Sequence, residues 1–229
     1  MSELRFDERV AIITGAGNGL GKAHALELAR RGAMVVVNDL GGAVDGEGND
    51  SSAAQLVGDE ITAAGGIAIA NTSSVTDAAA AKSMVDQAIE EFGRLDIVVN
   101  NAASGIMKMP SETTNADRTF MFELNVNAPV DLAQQAIPGR KAKGGGWSLN
   151  IGSATSTQPE IPYRDSKQAA WIIGAYGATK AALDRYTVAL AHEVQEHEIF
   201  VNCMMPTSIV LTSGADYVRD IARKNPDWV

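Results

Sequence analysis

Short apolar runs rich in β-branched residues recur along the chain: Val10-Ala11-Ile12-Ile13, Met34-Val35-Val36-Val37, Ile67-Ala68-Ile69-Ala70, Leu95-Asp96-Ile97-Val98-Val99, Leu149-Asn150-Ile151 and Ile199-Phe200-Val201. They lack the polar alternation of a strand with one wet face, so they predict strands buried on both sides. Helical periodicity fills the intervals. Its clearest instance places Ala81, Met84, Val85, Ala88, Ile89 and Phe92 on one face, with Thr76 or Asp77 as N-cap and Gly93 as the stop. Alternation of this kind predicts an α/β fold, a doubly wound parallel sheet with helices on both faces. Ligands then bind at the carboxyl ends of the strands, near the point where strand order reverses.

Two segments break the compact pattern. Residues 41–52 are rich in Gly, Asp, Asn and Ser, which suits a surface loop after the second strand. Residues 155–174 form a longer connection with Pro159, Pro162 and the apolar Trp171-Ile172-Ile173. A connection of that length inside one domain is a candidate substrate-covering segment or an irregular cap on the core.

The first strand runs into Thr14-Gly15-Ala16-Gly17-Asn18-Gly19-Leu20-Gly21-Lys22, where a helical pattern starts at once. Glycines let backbone approach a pyrophosphate closely, and a helix N-terminus offers free N–H groups to it. The second strand ends in Asn38-Asp39, at the interval after Gly21 where a carboxylate accepts from adenosine ribose hydroxyls. A carboxylate there favours NAD over NADP, whose extra phosphate it repels.

Composition narrows the rest. A length of 229 residues, 45% hydrophobic and 21% charged, suits one globular domain. A net charge of −9 opposes nucleic acid or an anionic membrane as partner. The charged start from Met1 to Arg9 has no apolar signal core, and no later stretch is apolar for the length of a membrane span, so a cytoplasmic location is expected. The single cysteine, Cys203, lies in an apolar run and reads as a buried thiol. No metal-binding cluster is visible. His24, His192 and His197 lack companions for catalysis and read as structural, and Gly144-Gly145-Gly146 reads as a turn.

The ordered motifs resemble the short-chain dehydrogenase/reductase family, classical type, over nearly the whole chain. Its TGxxxGxG turn matches Thr14, Gly15, Gly19 and Gly21; its NNAG is similar to Asn100-Asn101-Ala102-Ala103; its YxxxK matches Tyr176-Gly177-Ala178-Thr179-Lys180; Val201-Asn202 and Pro206 look like its VN and PG marks. The second-strand segment Val36-Val37-Asn38-Asp39-Leu40-Gly41-Gly42 also resembles the dehydrogenase domains of peroxisomal multifunctional enzymes.

The resemblance implies a Rossmann-type dinucleotide-binding domain over residues 1–229, with Asn125, Ser153, Tyr176 and Lys180 catalytic. It places Gly15, Asn18, Gly19, Leu20, Gly21, Asp39, Ser74, Val75, Asn101, Tyr176, Lys180 and Ile209 against NAD. A small alcohol or ketone as substrate and a homodimer or homotetramer are further implications. Ala103, Ser74 and Thr207 depart from the family pattern, and the C-terminal strand and helix of the family are expected to be missing.

The chemistry suits these side chains. Hydride removal from an alcohol carbon requires loss of the hydroxyl proton, hence a base in reach of that oxygen. Tyrosine ionises near 10, and a neighbouring ammonium lowers that value, which assigns Lys180, four residues on, to the same helix face. Ser153 would donate to the substrate oxygen, and by resemblance Asn125 would position a water for proton relay to Lys180. A second YxxxK, Tyr163 to Lys167, comes directly after Pro162 in a loop without helical geometry, so Tyr176 takes precedence. An NAD-binding scaffold without turnover and a lyase or epimerase remain as other outcomes.

Overall fold

The computed structural model describes residues 3–42, 52–157, 173–206, 210 and 212–224. Its strands are β1 (Val10–Thr14), β2 (Met34–Asn38), β3 (Ile67–Asn71), β4 (Ile97–Asn100), β5 (Gly146–Ile151) and β6 (Ile199–Met204). Its helices are α1 (Gly19–Arg30), α2 (Ser52–Ala63), α3 (Ala78–Phe92), α4 (Asn115–Phe122), α5 (Ala128–Lys143), α6 (Gly174–Val194) and α7 (Ser213–Lys224). All six strands pair in parallel in the order β3-β2-β1-β4-β5-β6. The order reverses between β1 and β4, so the crevice lies above their carboxyl ends.

Strand side chains alternate between two cores. Ala11, Ile13, Val35, Val37 and Val99 meet Ala25 and Ala29 of α1 and Ala54, Val57 and Ile61 of α2. Val10, Ile12, Val36 and Val98 meet Ala81, Met84, Val85 and Ala88 of α3 and Leu132 and Ala136 of α5. Double-sided cover is why the strands read as continuous apolar runs. Helix α3 ends as its sequence expects: Asp77 accepts from the Ala79 N–H at 2.9 Å, and Gly93 closes the helix with φ of 75°. Gly144 and Gly145, at φ of 82° and 133°, make the turn into β5.

Two boundaries differ from expectation. β4 starts at Ile97, directly after Asp96, whose carboxylate accepts from Arg9, Arg94 and the Val10 N–H. At the C-terminal end a helix, α7, does come after β6, while the described residues hold no seventh strand. Trp147 and Phe200 stack on β5 and β6 with ring centroids 6.5 Å apart and stay 41% and 44% exposed.

Arg140 of α5 is 1% exposed. Its guanidinium donates to Ser148 Oγ at 2.8 Å, but its Nε and second terminal nitrogen have no partner among the described residues. Burial pushes its pKa down to about 10, against the opposing charge of Asp96. A desolvated cation so poorly matched opposes folding, and an apolar side chain of similar volume removes that cost. Arg140→Met is expected to stabilise the protein by about 1–3 kcal/mol, as read by thermal or urea denaturation. A lower melting temperature would show that the guanidinium is better compensated than its contacts indicate.

Candidate active site

The glycine turn after β1 is built for close approach. Gly15 has φ of 62°, and a Cβ there would stand 2.9 Å from the Ala102 Cα; a Cβ on Gly21 would stand 2.1 Å from the Gly15 carbonyl oxygen. Asn101 holds this turn to β4 by donating from Nδ2 to the carbonyls of Thr14 and Gly15, both at 3.0 Å. The Thr14 hydroxyl accepts from the N–H groups of Asn101 and Ala102 at 3.1 and 3.0 Å. Asn18 caps α1 by accepting from the Gly19 N–H at 2.8 Å, and Leu20 enters the first helical turn, half-buried. The free N–H groups of α1 thus open on the crevice beside backbone that no larger residue could line.

Asp39 lies against that turn. Its two oxygens accept from the N–H groups of Gly17 and Gly41, each at 2.7 Å, and a Cβ on Gly17 would meet the carboxylate at 2.8 Å. After β3, Ser74 pairs with Thr76 through their hydroxyls at 2.9 Å, and Val75 packs on the α3 core and lines a small crevice with Thr14, Ala102 and Leu124. The turn, the carboxylate and the loops after β3 and β4 therefore converge on one crevice. The donor set and the clearance at Gly15, Gly17 and Gly21 fit a dinucleotide.

The second cluster sits beyond β4. Between α4 and α5 the helix loosens into a π-turn, Glu123–Asn127, which carries Asn125 inward to full burial. Asn125 accepts from the Ser104 N–H at 3.0 Å and donates to the Ser104 carbonyl at 2.8 Å and to Thr179 Oγ1 at 3.0 Å. It ties the segment after β4 to α6. Ser153, at the end of β5, accepts from Thr155 Oγ1 at 2.9 Å and lies close enough to the Tyr176 phenol to lower its pKa. Tyr176 and Lys180 lie on the first turns of α6, with the Lys180 nitrogen 5.7 Å from the Tyr176 ring centroid.

The electrostatics depart from the simple expectation of an ammonium beside a phenol. Lys180, 2% exposed, donates to the Ile151 carbonyl at 2.7 Å. Burial pushes its pKa down to about 8, with Cys203 and Asp184 pulling it back up. Burial also holds the Tyr176 phenol above its usual 10, partly offset by the Ser153 hydrogen bond. Desolvation is the larger effect at the phenol.

Of the residues singled out from sequence, thirteen lie along this carboxyl edge: Gly15, Asn18, Gly19, Leu20, Gly21, Asp39, Ser74, Val75, Asn101, Asn125, Ser153, Tyr176 and Lys180. Ile209 lies outside the described residues, as do Tyr163, Lys167 and most of the 155–174 connection. Cys203 is half-buried rather than buried, since β6 is the outermost strand, and its thiol donates to Asp184 Oδ1 at 2.8 Å. Among the described residues no group of three or more His, Cys, Asp or Glu is placed to hold a metal, and no helix is long and apolar enough to cross a membrane.

Sequence reading passed over a polar ladder that supports the site. Asn100 donates to Asn150 Oδ1, Asn150 donates to Thr187 Oγ1, and Thr187 donates to the Leu183 carbonyl, at 2.8, 2.8 and 2.7 Å. The signal was present as an amide at or near the carboxyl end of each of β2 to β5: Asn38, Asn71, Asn100 and Asn150. A buried amide is retained only where its hydrogen bonds are met.

The short chain dehydrogenase family model matches residues 9–221, and the chain belongs to that family. Among its relatives, the peroxisomal hydratase-dehydrogenase-epimerase of Neurospora crassa is 36% identical over 230 residues, covering 99% of this chain and 24% of that one. The Saccharomyces cerevisiae protein of the same name is 40% identical over 205 residues, covering 89% of this chain and 21% of that one. The chain thus spans under a quarter of these relatives' length. A solved 7 alpha-hydroxysteroid dehydrogenase complexed with NADH and 7-oxo glycochenodeoxycholic acid superposes with a TM-score of 0.82 at 33% identity, covering 96% of this chain and 79% of that one. A metagenomic short-chain oxidoreductase in complex with NADP gives 0.77 at 27% identity, covering 95% and 91%.

Proposed function

We propose that the chain is an NAD-dependent dehydrogenase acting on a small secondary alcohol or, in reverse, its ketone, within one domain. The observation that carries this reading is the convergence of Ser153, at the end of β5, with the Tyr176 phenol, whose pKa it lowers, one helical turn from Lys180 and beside the crevice of the glycine turn. Bound NAD supplies the hydride acceptor. Ser153 donates to the substrate oxygen and holds it at the phenol, which as phenolate takes the hydroxyl proton when the carbon loses hydride. Lys180, charged, stabilises that phenolate and holds the nicotinamide ribose. Asn125 fixes the segment at Ser104 and positions the water of the proton relay.

The choice of NAD rests on Asp39, whose carboxylate already lies on the glycine turn at 2.7 Å from the Gly17 nitrogen. An added 2′-phosphate there would meet like charge, which costs several kcal/mol. The NADH complex of the hydroxysteroid dehydrogenase agrees with this choice, and the NADP complex of the metagenomic relative is the competing case. Asp39→Ser is expected to shift the ratio of kcat/KM for NAD over NADP toward NADP by roughly 10–100-fold. An unshifted ratio would remove Asp39 from coenzyme choice.

The direct test is turnover of a panel of secondary alcohols and hydroxyacyl thioesters with NAD and with NADP. The thioesters belong in the panel because the fungal relatives are named for a dehydrogenase among their activities. Tight NAD binding with no turnover on any member would replace the enzyme by a nucleotide-binding scaffold, and product formation without net reduction would point to a lyase or epimerase. A homodimer or homotetramer and a cytoplasmic location complete the proposed function. Light scattering checks the first, and imaging of tagged protein sets the second against the peroxisomal location in the relatives' names.

A further inference from the structure

Helix α6 presents a second charged residue one turn after Lys180: Asp184, half-buried, on the side that packs against β6. The Cys203 thiol of β6 donates to Asp184 Oδ1 at 2.8 Å. Gly152 makes room for the pair, since a Cβ there would stand 2.6 Å from Cys203 Sγ and 3.2 Å from Asp184 Oδ1. Its chain neighbours hold two of the catalytic groups: the Ile151 carbonyl accepts from Lys180 at 2.7 Å, and Ser153 lies at the Tyr176 phenol, whose pKa it lowers. A thiol-anchored carboxylate therefore sits under the catalytic end of β5, beside an ammonium that is 2% exposed and bonded to a neutral carbonyl.

We propose that Asp184, held in place by the Cys203 thiol, is a positioning residue for the dehydrogenase reaction: its carboxylate keeps the buried Lys180 charged, and through Lys180 keeps the Tyr176 phenol ionisable. The role assigned to the phenol rests on the function proposed above; the effect of the carboxylate on the ammonium does not.

Few other ionisable groups among the described residues face Lys180. Burial pushes its pKa down, and the Cys203 and Asp184 pair opposes that shift. The turn Ala154–Thr157, packed on α6, carries no titratable side chain. On the π-turn Glu123 is exposed, and on α4 Asp117 is bound to Lys108 at 2.8 Å. Glu196 and His197 lie beyond the far end of α6, and β6 offers only Cys203. Tyr176 is a titratable neighbour on α6 itself, with its ring 5.7 Å from the Lys180 nitrogen. The thiol itself, pushed up to about 12 by burial and by Asp184, stays protonated and able to donate.

The experiment tracks Lys180 directly, by side-chain NMR titration of the full chain labelled at lysine, with and without saturating NAD. Asp184→Asn, which keeps the shape and removes the charge, is expected to lower the Lys180 midpoint by about one pH unit. Cys203→Ser keeps a donor and should restore a midpoint close to the parent, whereas Cys203→Ala should lower it by less than Asp184→Asn. With an alcohol that the parent protein oxidises, the pH at which kcat stops rising should move down in Asp184→Asn by the same amount, with KM for the alcohol little changed. An unmoved Lys180 midpoint in a folded Asp184→Asn overturns the inference; if that variant does not fold, an unmoved midpoint in Cys203→Ala overturns it. A moved midpoint in a protein that oxidises no alcohol would uphold the charge pairing and refute the dehydrogenase reading instead.

Discussion

Replacing Tyr176 by Phe is expected to lower kcat by roughly 10²–10⁴-fold, the contribution of a positioned general acid or base, while NAD affinity stays close to that of the parent protein. The substitution removes one oxygen and keeps the ring that packs against Gly105, where an added Cβ would approach Tyr176 carbons at 3.1 and 3.2 Å. Fold and crevice are therefore preserved, and the glycine turn and Asp39 are untouched. Steady-state NADH formation with a substrate from the panel measures the loss, and NADH fluorescence titration measures the binding. Full activity in Tyr176→Phe would move the acid and base role to another residue.

The pH profile of the parent derives from the same site. Alcohol oxidation needs the phenolate, and burial raises the Tyr176 phenol, so the rate should climb with pH on the acid side. Lys180, pushed down to about 8, loses its charge below the pH at which the phenol ionises, so the climb should stop near 8, where each further gain in phenolate is offset by loss of the ammonium. The two groups are close enough to titrate as a pair, so the limbs report the pair.

The largest stability effect is expected at Asp96. This residue, its side chain 4% exposed, accepts from Arg9 at 3.0 Å, from Arg94 at 2.6 Å and from the Val10 N–H at 2.9 Å. It pins the loop before β1 to the start of β4. Asp96→Ala leaves a buried N–H and two guanidinium groups without their acceptor. Both arginines remain part-exposed and can rehydrate, so the loss is set at about 2–4 kcal/mol, below the value for a fully enclosed pair. For a chain of this size that is a fall in Tm of roughly 4–16 °C by calorimetry. A change within about 0.5 kcal/mol, the range of ordinary surface substitutions, would show that the cluster contributes nothing net.

The sign of the pH dependence is fixed by the shift at Asp96. Burial would raise its pKa, but hydrogen bonds from Arg94, the Val10 N–H and Arg9 together hold it below the usual value. Its stabilisation is therefore complete above the unfolded carboxylate pKa of about 4 and disappears as pH falls through the lower folded value. The parent's advantage over Asp96→Asn should be constant near neutrality and shrink only in acid. Asp96 also opposes the desolvation of Arg140, so Asp96→Ala and Arg140→Met should not add; the double variant should lose less than the sum of the singles predicts.

Local periodicity and short spacing encode the part of this protein that was legible in the chain. Runs such as Val10 to Ile13 and Met34 to Val37 specify strands covered on both faces, because strands with a wet face alternate. Asp77 and Gly93 bound α3, because a cap needs only its own helix to act. The glycine turn and Asp39 could be paired from spacing since one βαβ unit holds both, and Tyr176 and Lys180 because one helix carries them.

Tertiary structure alone decided the rest. Lys180 spends its hydrogen bond on the Ile151 carbonyl, which comes 29 residues earlier in the chain. Cys203 finds Asp184 across 19 residues, and Asp96 finds the Val10 N–H across 86. None of these contacts leaves a periodic trace, because their geometry is set by which strands lie side by side and by how deeply each side chain is then withdrawn from water. The residue types along this chain determined the elements and the class of ligand; burial, which exists only once β5, β6 and α6 are packed together, determined which of the ionisable groups stand charged.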